Sequence, residues 1–301
     1  MSGKTVRAFA VAALLLAGGM PVSAETAASS ETETVTVTGT RLRLVFHEFL
    51  KDFVAPTPIT GKIARWERRI CPLVVGQNPR YTAFITQRIK VVALAAGARV
   101  NTEPTCTPNI EVVFTTTPQA LLDNVRRHDV YWLGYAETNA QLEKLATVTR
   151  PVQAWYTTES QDNNGARWVD SDIIANVGGN ILFEPPHYAS SGSRINDGIK
   201  SGFNHILIVI DSSKLAGEKI VPLADYISML ALTQVNALDT CQRLTSIVDM
   251  MAADCGPAGD GLTKFDIAYL QGLYRMSAGR GLMFQRNDIA AMMADAFMPD
   301  E

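Results

Sequence analysis

Apolar residues at Leu42, Val45, Phe46, Phe49, Leu50 and Phe53 recur every three or four positions, which predicts an amphipathic helix stopped by Pro56 and Pro58. A second helix is marked at both ends. Asn78 suits its N-cap, Pro79 its first turn and Gly97 a left-handed close, and one stripe runs through Tyr81, Phe84, Ile85, Ile89, Val92 and Ala96. Thr117-Pro118 opens a third helix through Leu121, Leu122 and Val125, and Thr138 with Gln141 forms a capping box for a short one through Leu145. Alternating or β-branched runs predict strands at Val35–Thr38, Ile63–Trp66, Ile110–Phe114, Val152–Thr157 and Ile206–Ile210. The polar stretch Glu159 to Gly165 reads as a turn.

From Pro222 to about Leu238 the apolar positions surround most of a helix, so that helix is expected to be buried. Thr263 is placed to cap the next helix against Asp266, with Leu262 packing on Ile267. Asn287 is placed to cap a last helix carrying Ile289, Met292, Met293 and Phe297. Strands and helices mix up to residue 210, and almost only helices follow. This order predicts an α+β fold, a mixed sheet covered by helices with a helical C-terminal part. No linker or internal repeat divides the chain. A single domain is therefore expected over 42–301, its sheet-containing part at 42–221 and its mainly helical part at 222–301.

The N-terminus changes the compartment. Lys4 and Arg7 precede an apolar run from Ala8 to Gly19, and Val22-Ser23-Ala24 offers small residues for cleavage before Glu25. This is the pattern of a secretory signal peptide over 1–24, against the alternative of an uncleaved anchor. Residues 25–41 follow as a small, polar, flexible lead-in with one β-prone segment. The expected localisation is periplasmic or secreted, with no transmembrane span after cleavage, because no later apolar run reaches the roughly 20 residues a bilayer needs. Loss of Lys4 and Arg7 takes the formal net charge from −3 to −5, which gives no footprint for nucleic acid.

Export also frames the cysteines. Cys71, Cys106, Cys241 and Cys255 are an even set, and local pairing favours Cys71–Cys106 and Cys241–Cys255 as disulfides. The alternative is a zinc site, which lacks both a CxxC and a histidine close in sequence.

Catalytic chemistry is harder to find. His47, His128, His187 and His205 lie in four separate segments, HExxH is absent, and neither GxSxG nor a phosphate-binding glycine loop occurs. A site assembled from His187, His205 and Asp211 would need the fold to bring them together. Ser190-Ser191-Gly192-Ser193, after Pro185-Pro186, reads as a loop. No catalytic residue, metal ligand or cofactor is assigned. Arg150 with Trp155 and Tyr156, on one extended segment, are the candidates for a ligand groove, since arginine and aromatics serve as anchors.

Val35-Thr36-Val37-Thr38-Gly39-Thr40-Arg41 resembles the start of the plug domain of TonB-dependent outer-membrane receptors. Gly61 to Trp66, Ile70 to Gly76, Cys106 with Asn109 to Phe114, and Arg150-Pro151 through Trp155-Tyr156 resemble uncharacterised exported proteins of alphaproteobacteria of sphingomonad and caulobacter type. More distantly, the order of elements is similar to zincin-like peptidases, in which a long helix precedes a strand and the last strand leads into the metal-binding helix. The place of HExxH here reads Leu223-Ala224-Asp225-Tyr226-Ile227-Ser228-Met229-Leu230-Ala231, so the resemblance implies a relative without zinc or peptidase activity. The expected function is a non-catalytic envelope protein that binds an unidentified protein or ligand. The alternative is a peptidase-like envelope hydrolase with a site not visible in sequence.

Overall fold

The computed structural model describes residues 39–173, 193, 195–215, 217–236, 238–255 and 259–298. The expected strand at 35–38, His187, and Ser190 to Gly192 of the serine-rich loop lie outside these.

The first helix, α1 (Gly39–Phe53), starts three residues before the expected position, so 39–41 belong to it and not to the lead-in. Phe46, Phe49, Leu50 and Phe53 are all buried on its inner stripe. The segment Ile63 to Trp66 is not a regular strand. It makes single bridges, Pro56 to Ile63 and Arg65 to Gly202, and is held to the C-terminal part by further bonds. The Ile63 amide donates to Gln285 Oε1 at 2.8 Å, and the Arg65 guanidinium donates to the carbonyls of Leu273, Tyr274 and Met276.

The strand of this region is β1 (Pro72–Val75), followed by α2 (Pro79–Ala96). Asn78 Oδ1 accepts from the Arg80 amide, and Gly97 closes the helix at φ 95°. Then come β2 (Ile110–Thr115), α3 (Pro118–His128), a 3-10 turn (Val130–Leu133) and α4 (Asn139–Leu145), which has the expected capping box. The following strand, β3 (Val152–Gln161), runs through half of the expected turn. Glu159, read as a turn residue, is buried between Arg68 and Arg167, which donate to its oxygens at 2.6 and 2.5 Å. The turn is confined to Asp162–Gly165, where the Gly165 amide donates to the Asp162 carbonyl, and β4 (Arg167–Val169) returns.

A twelve-residue strand, β5 (Lys200–Asp211), leads to α5 (Ile220–Leu232). That helix stops at Leu232, short of Leu238, where Thr233 turns extended and Val235 bridges to Val54. Thr263 and Asp266 make the expected capping box of α6 (Lys264–Arg275). The last helix, α7 (Leu282–Asp295), begins after Gly281, which places Asn287 inside the helix rather than at its cap.

Fold class follows directly: this is an α+β protein with a mixed sheet. The strand order is β1-β2-β5-β3-β4, with β1, β2 and β5 parallel and β3 antiparallel to both β5 and β4. All described strands precede residue 212, and only helices and turns follow. One face carries the main core, in which Ile110, Val112, Ile206, Ile208 and Ile210 meet α1, α2, α5, α6 and α7. The other face carries a smaller cluster, where Trp155, Leu207 and Val209 meet Leu122, Val125, Leu133 and Ala146. Burial on both faces explains why β5 reads as a nearly continuous apolar run. Disulfides join Cys71 to Cys106, bracketing α2, and Cys241 to Cys255. No helix among the described residues is long and apolar enough to cross a membrane.

Candidate functional site

The helix α5 occupies the place where the sequence resemblance puts a metal-binding helix, and its residues from Pro222 to Leu232 are all buried. Its C-terminal carbonyls, which have no partner inside the helix, are met by aromatic donors. Trp66 Nε1 donates to the Ala231 carbonyl at 2.8 Å, Tyr274 donates its hydroxyl to Leu232, and Tyr156 donates to Leu230 and Thr233. Burial pushes the Tyr156, Tyr226, Tyr269 and Tyr274 hydroxyls far above the usual tyrosine range, so all four stay neutral. Asp225 is sealed against Arg88 of α2 and also accepts from the Leu262 amide at 3.0 Å.

The three groove candidates separate. Trp155 and Tyr156 are consecutive in β3 and point to opposite faces of the sheet. Trp155 sits in the smaller core and donates to the Leu145 carbonyl at 2.6 Å, whereas Tyr156 packs in the main core. Arg150 precedes the strand and is held by Asp239, which accepts from Nε at 2.5 Å and from Nη2. No single groove is lined by all three.

The histidines do not assemble either. His205 and Asp211 lie six residues apart on β5, about 20 Å at the rise of an extended strand. His205 stacks on Trp132 with ring centroids 4.6 Å apart, and its Nε2 lies 3.5 Å from Glu111. His47 neighbours Glu48 in α1, and His128 is exposed at the end of α3. Among the described residues no group of three or more histidine, cysteine or acidic side chains is arranged to hold a metal ion.

Among the described residues, the carboxyls of Asp170 and Asp266 are buried and held by hydroxyl and amide donors. Asp170 is fully buried and accepts from Thr158 Oγ1 at 2.5 Å and Ser160 Oγ at 2.8 Å. Burial pushes its carboxyl above the ordinary value, and the two hydroxyls only partly offset this. The folded protein therefore holds a proton that the unfolded chain releases near pH 4, so this group's contribution is lost as pH rises through its folded value. Asp170→Asn is expected to raise stability relative to the parent at pH 7 but not at pH 4, read from urea midpoints at both pH values. An equal shift at the two pH values would remove the assignment.

A concavity lies at the carboxyl ends of β1, β2 and β5, where open sheets with parallel strands place their ligands. It has a volume of about 350 Å³. Its wall is built from Tyr81 and Ile85 on one stripe of α2, Phe114 at the end of β2, and Ile220 and Leu223 at the start of α5. Leu215 closes one side, while Gln77, Ser212 and Glu218 supply polar groups. Gly76 makes the corner possible. Its φ is 85°, and a Cβ there would run into the Phe114 carbonyl, so only glycine lets β1 turn across the end of β2. At the opposite wall Lys219 gives α5 no side-chain cap, which leaves first-turn amides of α5 unsatisfied by a capping side chain.

No protein-family model matches the chain, and neither a curated protein nor a solved structure does. The cavity and its chemistry therefore carry the functional reading. Sequence inspection missed it because its residues come from four separate segments, each contributing one or two ordinary apolar side chains. Only Gly76-Gln77-Asn78, a strand-to-helix corner next to a parallel strand, marks it locally.

Proposed function

We propose that this is an exported protein of the cell envelope that binds a small, mostly apolar, uncharged ligand without transforming it. The carrying observation is the cavity at the strand ends. Its volume falls within the 300–1,000 Å³ range of small-molecule sites, and its lining is mainly apolar with a few polar groups. Tyr81 and Glu218 are its titratable lining residues, and both are exposed, which is poor placement for paired acid–base work. The amides at the start of α5 suit one hydrogen-bond acceptor on the ligand.

Export is supported by the N-terminal pattern and by two disulfides, which persist in oxidising compartments. The order of a long helix, strands, and a last strand entering a buried helix supports kinship with zincin-like peptidases in a form without their metal ligands. The hydrolase alternative draws no support from α5, whose residues from Pro222 to Leu232 are buried.

The test uses 8-anilinonaphthalene-1-sulfonate fluorescence with uncharged aliphatic alcohols as competitors. The expected result is saturable, one-to-one competition by the alcohols. Ser212→Trp, which fills the mouth from a partly exposed position, is expected to weaken alcohol binding at least tenfold with an unchanged thermal midpoint. Unaltered binding in that variant would refute the site.

A further inference from the structure

His205 lies in the first half of β5 on the face shared with Leu207 and Val209, and therefore on the side of the smaller core. Its side chain is 9% exposed, and neither ring nitrogen has a hydrogen-bond partner. The neighbours that could supply one are committed elsewhere. Thr157 faces it across the ladder of β3 and β5 but donates its hydroxyl to the Tyr131 carbonyl. Asn109, just before β2, accepts from the Cys71 amide and donates to the Arg69 carbonyl. A buried imidazole in this state costs free energy that an apolar side chain would not.

One group comes close without bonding. Glu111, on the adjacent parallel strand β2, brings Oε1 to 3.5 Å from His205 Nε2, and its side chain is 24% exposed. That separation is longer than the about 2.7–3.2 Å of an N–H···O bond. It is close to the spacing of two ligands on one ion, since metal–ligand bonds of about 2.1 Å at right or tetrahedral angles leave the donors roughly 3.0–3.4 Å apart. Trp132, in the 3-10 turn, stacks on the imidazole with centroids 4.6 Å and planes 24° apart. Stacking occupies the face of the ring, whereas a metal ion binds at its edge in the ring plane, so the two contacts are compatible.

We propose that His205 Nε2 and Glu111 Oε1 form a two-ligand binding site for a divalent transition-metal ion of the Zn²⁺ or Cu²⁺ kind. The ion takes one bond from each side chain and completes its coordination with water on the exposed side of Glu111. Coordination at Nε2 leaves the imidazole proton on Nδ1. The imidazole ligand selects against Mg²⁺ and Ca²⁺, which take oxygen ligands. This proposal stands independently of the cavity at the strand ends.

The experiment titrates the chelator-treated, disulfide-bonded protein with ZnCl₂ by calorimetry in a buffer that does not bind metal. One saturable site is expected, unaffected by a large excess of Mg²⁺. His205→Phe keeps a ring against Trp132 and removes both unpaired nitrogens, so its thermal midpoint is expected not to fall while its Zn²⁺ affinity drops at least tenfold. Glu111→Gln keeps the shape without the charge, and a similar loss is expected. His47→Gln, at the other histidine beside an acid, is expected to bind as the parent does. Cu²⁺ gives an independent readout, because it quenches a neighbouring indole. Trp132→Phe is expected to lose part of the quenching seen in the parent while binding Zn²⁺ equally. The proposal is overturned if the parent takes up no Zn²⁺, or if His205→Phe or Glu111→Gln binds it as tightly as the parent. It is also overturned if His47→Gln is the variant that loses binding, or if Cu²⁺ quenching is the same with and without Trp132.

Discussion

Arg88→Ala is expected to destabilise the protein by about 3–5 kcal/mol, the usual cost of stripping a buried charge of its partner. Asp225 is 1% exposed and sits in the first turns of a helix that is apolar on every side. Without the guanidinium its remaining hydrogen bond is the one from the Leu262 amide. The neighbouring Gly261 offers no room for rearrangement, because a Cβ built there already lies 2.6 Å from Asp225 Oδ2. Replacing both partners, as Arg88→Met with Asp225→Leu, removes the charge together with its partner and is expected to recover most of the loss. Urea unfolding of the two variants and the parent decides this. A single variant within about 1 kcal/mol of the parent would show that the pair does not hold α2 to α5.

Trp66→Ala is expected to cost about 3–5 kcal/mol, as for other large aromatics removed from a close-packed interior. Its indole is 3% exposed, packs on Phe203 with centroids 5.6 Å apart, and ties the irregular segment before β1 to the end of α5. Trp66→Phe isolates the hydrogen bond. It keeps much of the ring and leaves the Ala231 carbonyl unpaired, for an expected loss of about 1–3 kcal/mol. If Trp66→Phe proves as costly as Trp66→Ala, the donor rather than the packing governs this corner. If it costs nothing, the carbonyl has found another partner and the aromatic capping of α5 is incidental.

How much of this was legible follows from where the information sits. Helix ends written in local chemistry were readable: Asn78 with Gly97, Thr138 with Gln141, and Thr263 with Asp266 all fold as their types dictate. Asn287 misled because a good capping residue is also tolerated inside a helix when the true start, here Gly281, lacks a capping side chain. The second half of β3 was hidden because its strand is polar. Thr158, Glu159 and Ser160 are buried there only because Asp170, Arg68 and Arg167, distant or across a turn, satisfy them. The short β1 was hidden for the opposite reason, four residues at an edge being too few to show a period.

Site residues follow the same logic. Arg150 was visible as a charge beside aromatics, but the alternation of a strand separates Trp155 from Tyr156 and dissolves the groove. The cavity is a product of topology. Ile85, Phe114 and Leu223 are ordinary core residues until the parallel order of β1, β2 and β5 brings their elements to one end of the sheet.

The most direct test of ligand binding at the strand ends is methyl NMR. Protein labelled at isoleucine and leucine methyl groups is titrated with 1-hexanol, and the shifts are mapped. Saturating shifts confined to Ile85, Leu215, Ile220 and Leu223, with Ile206 and Leu270 unmoved, are expected. Non-saturating shifts, or shifts spread through the main core with these four silent, would contradict the account.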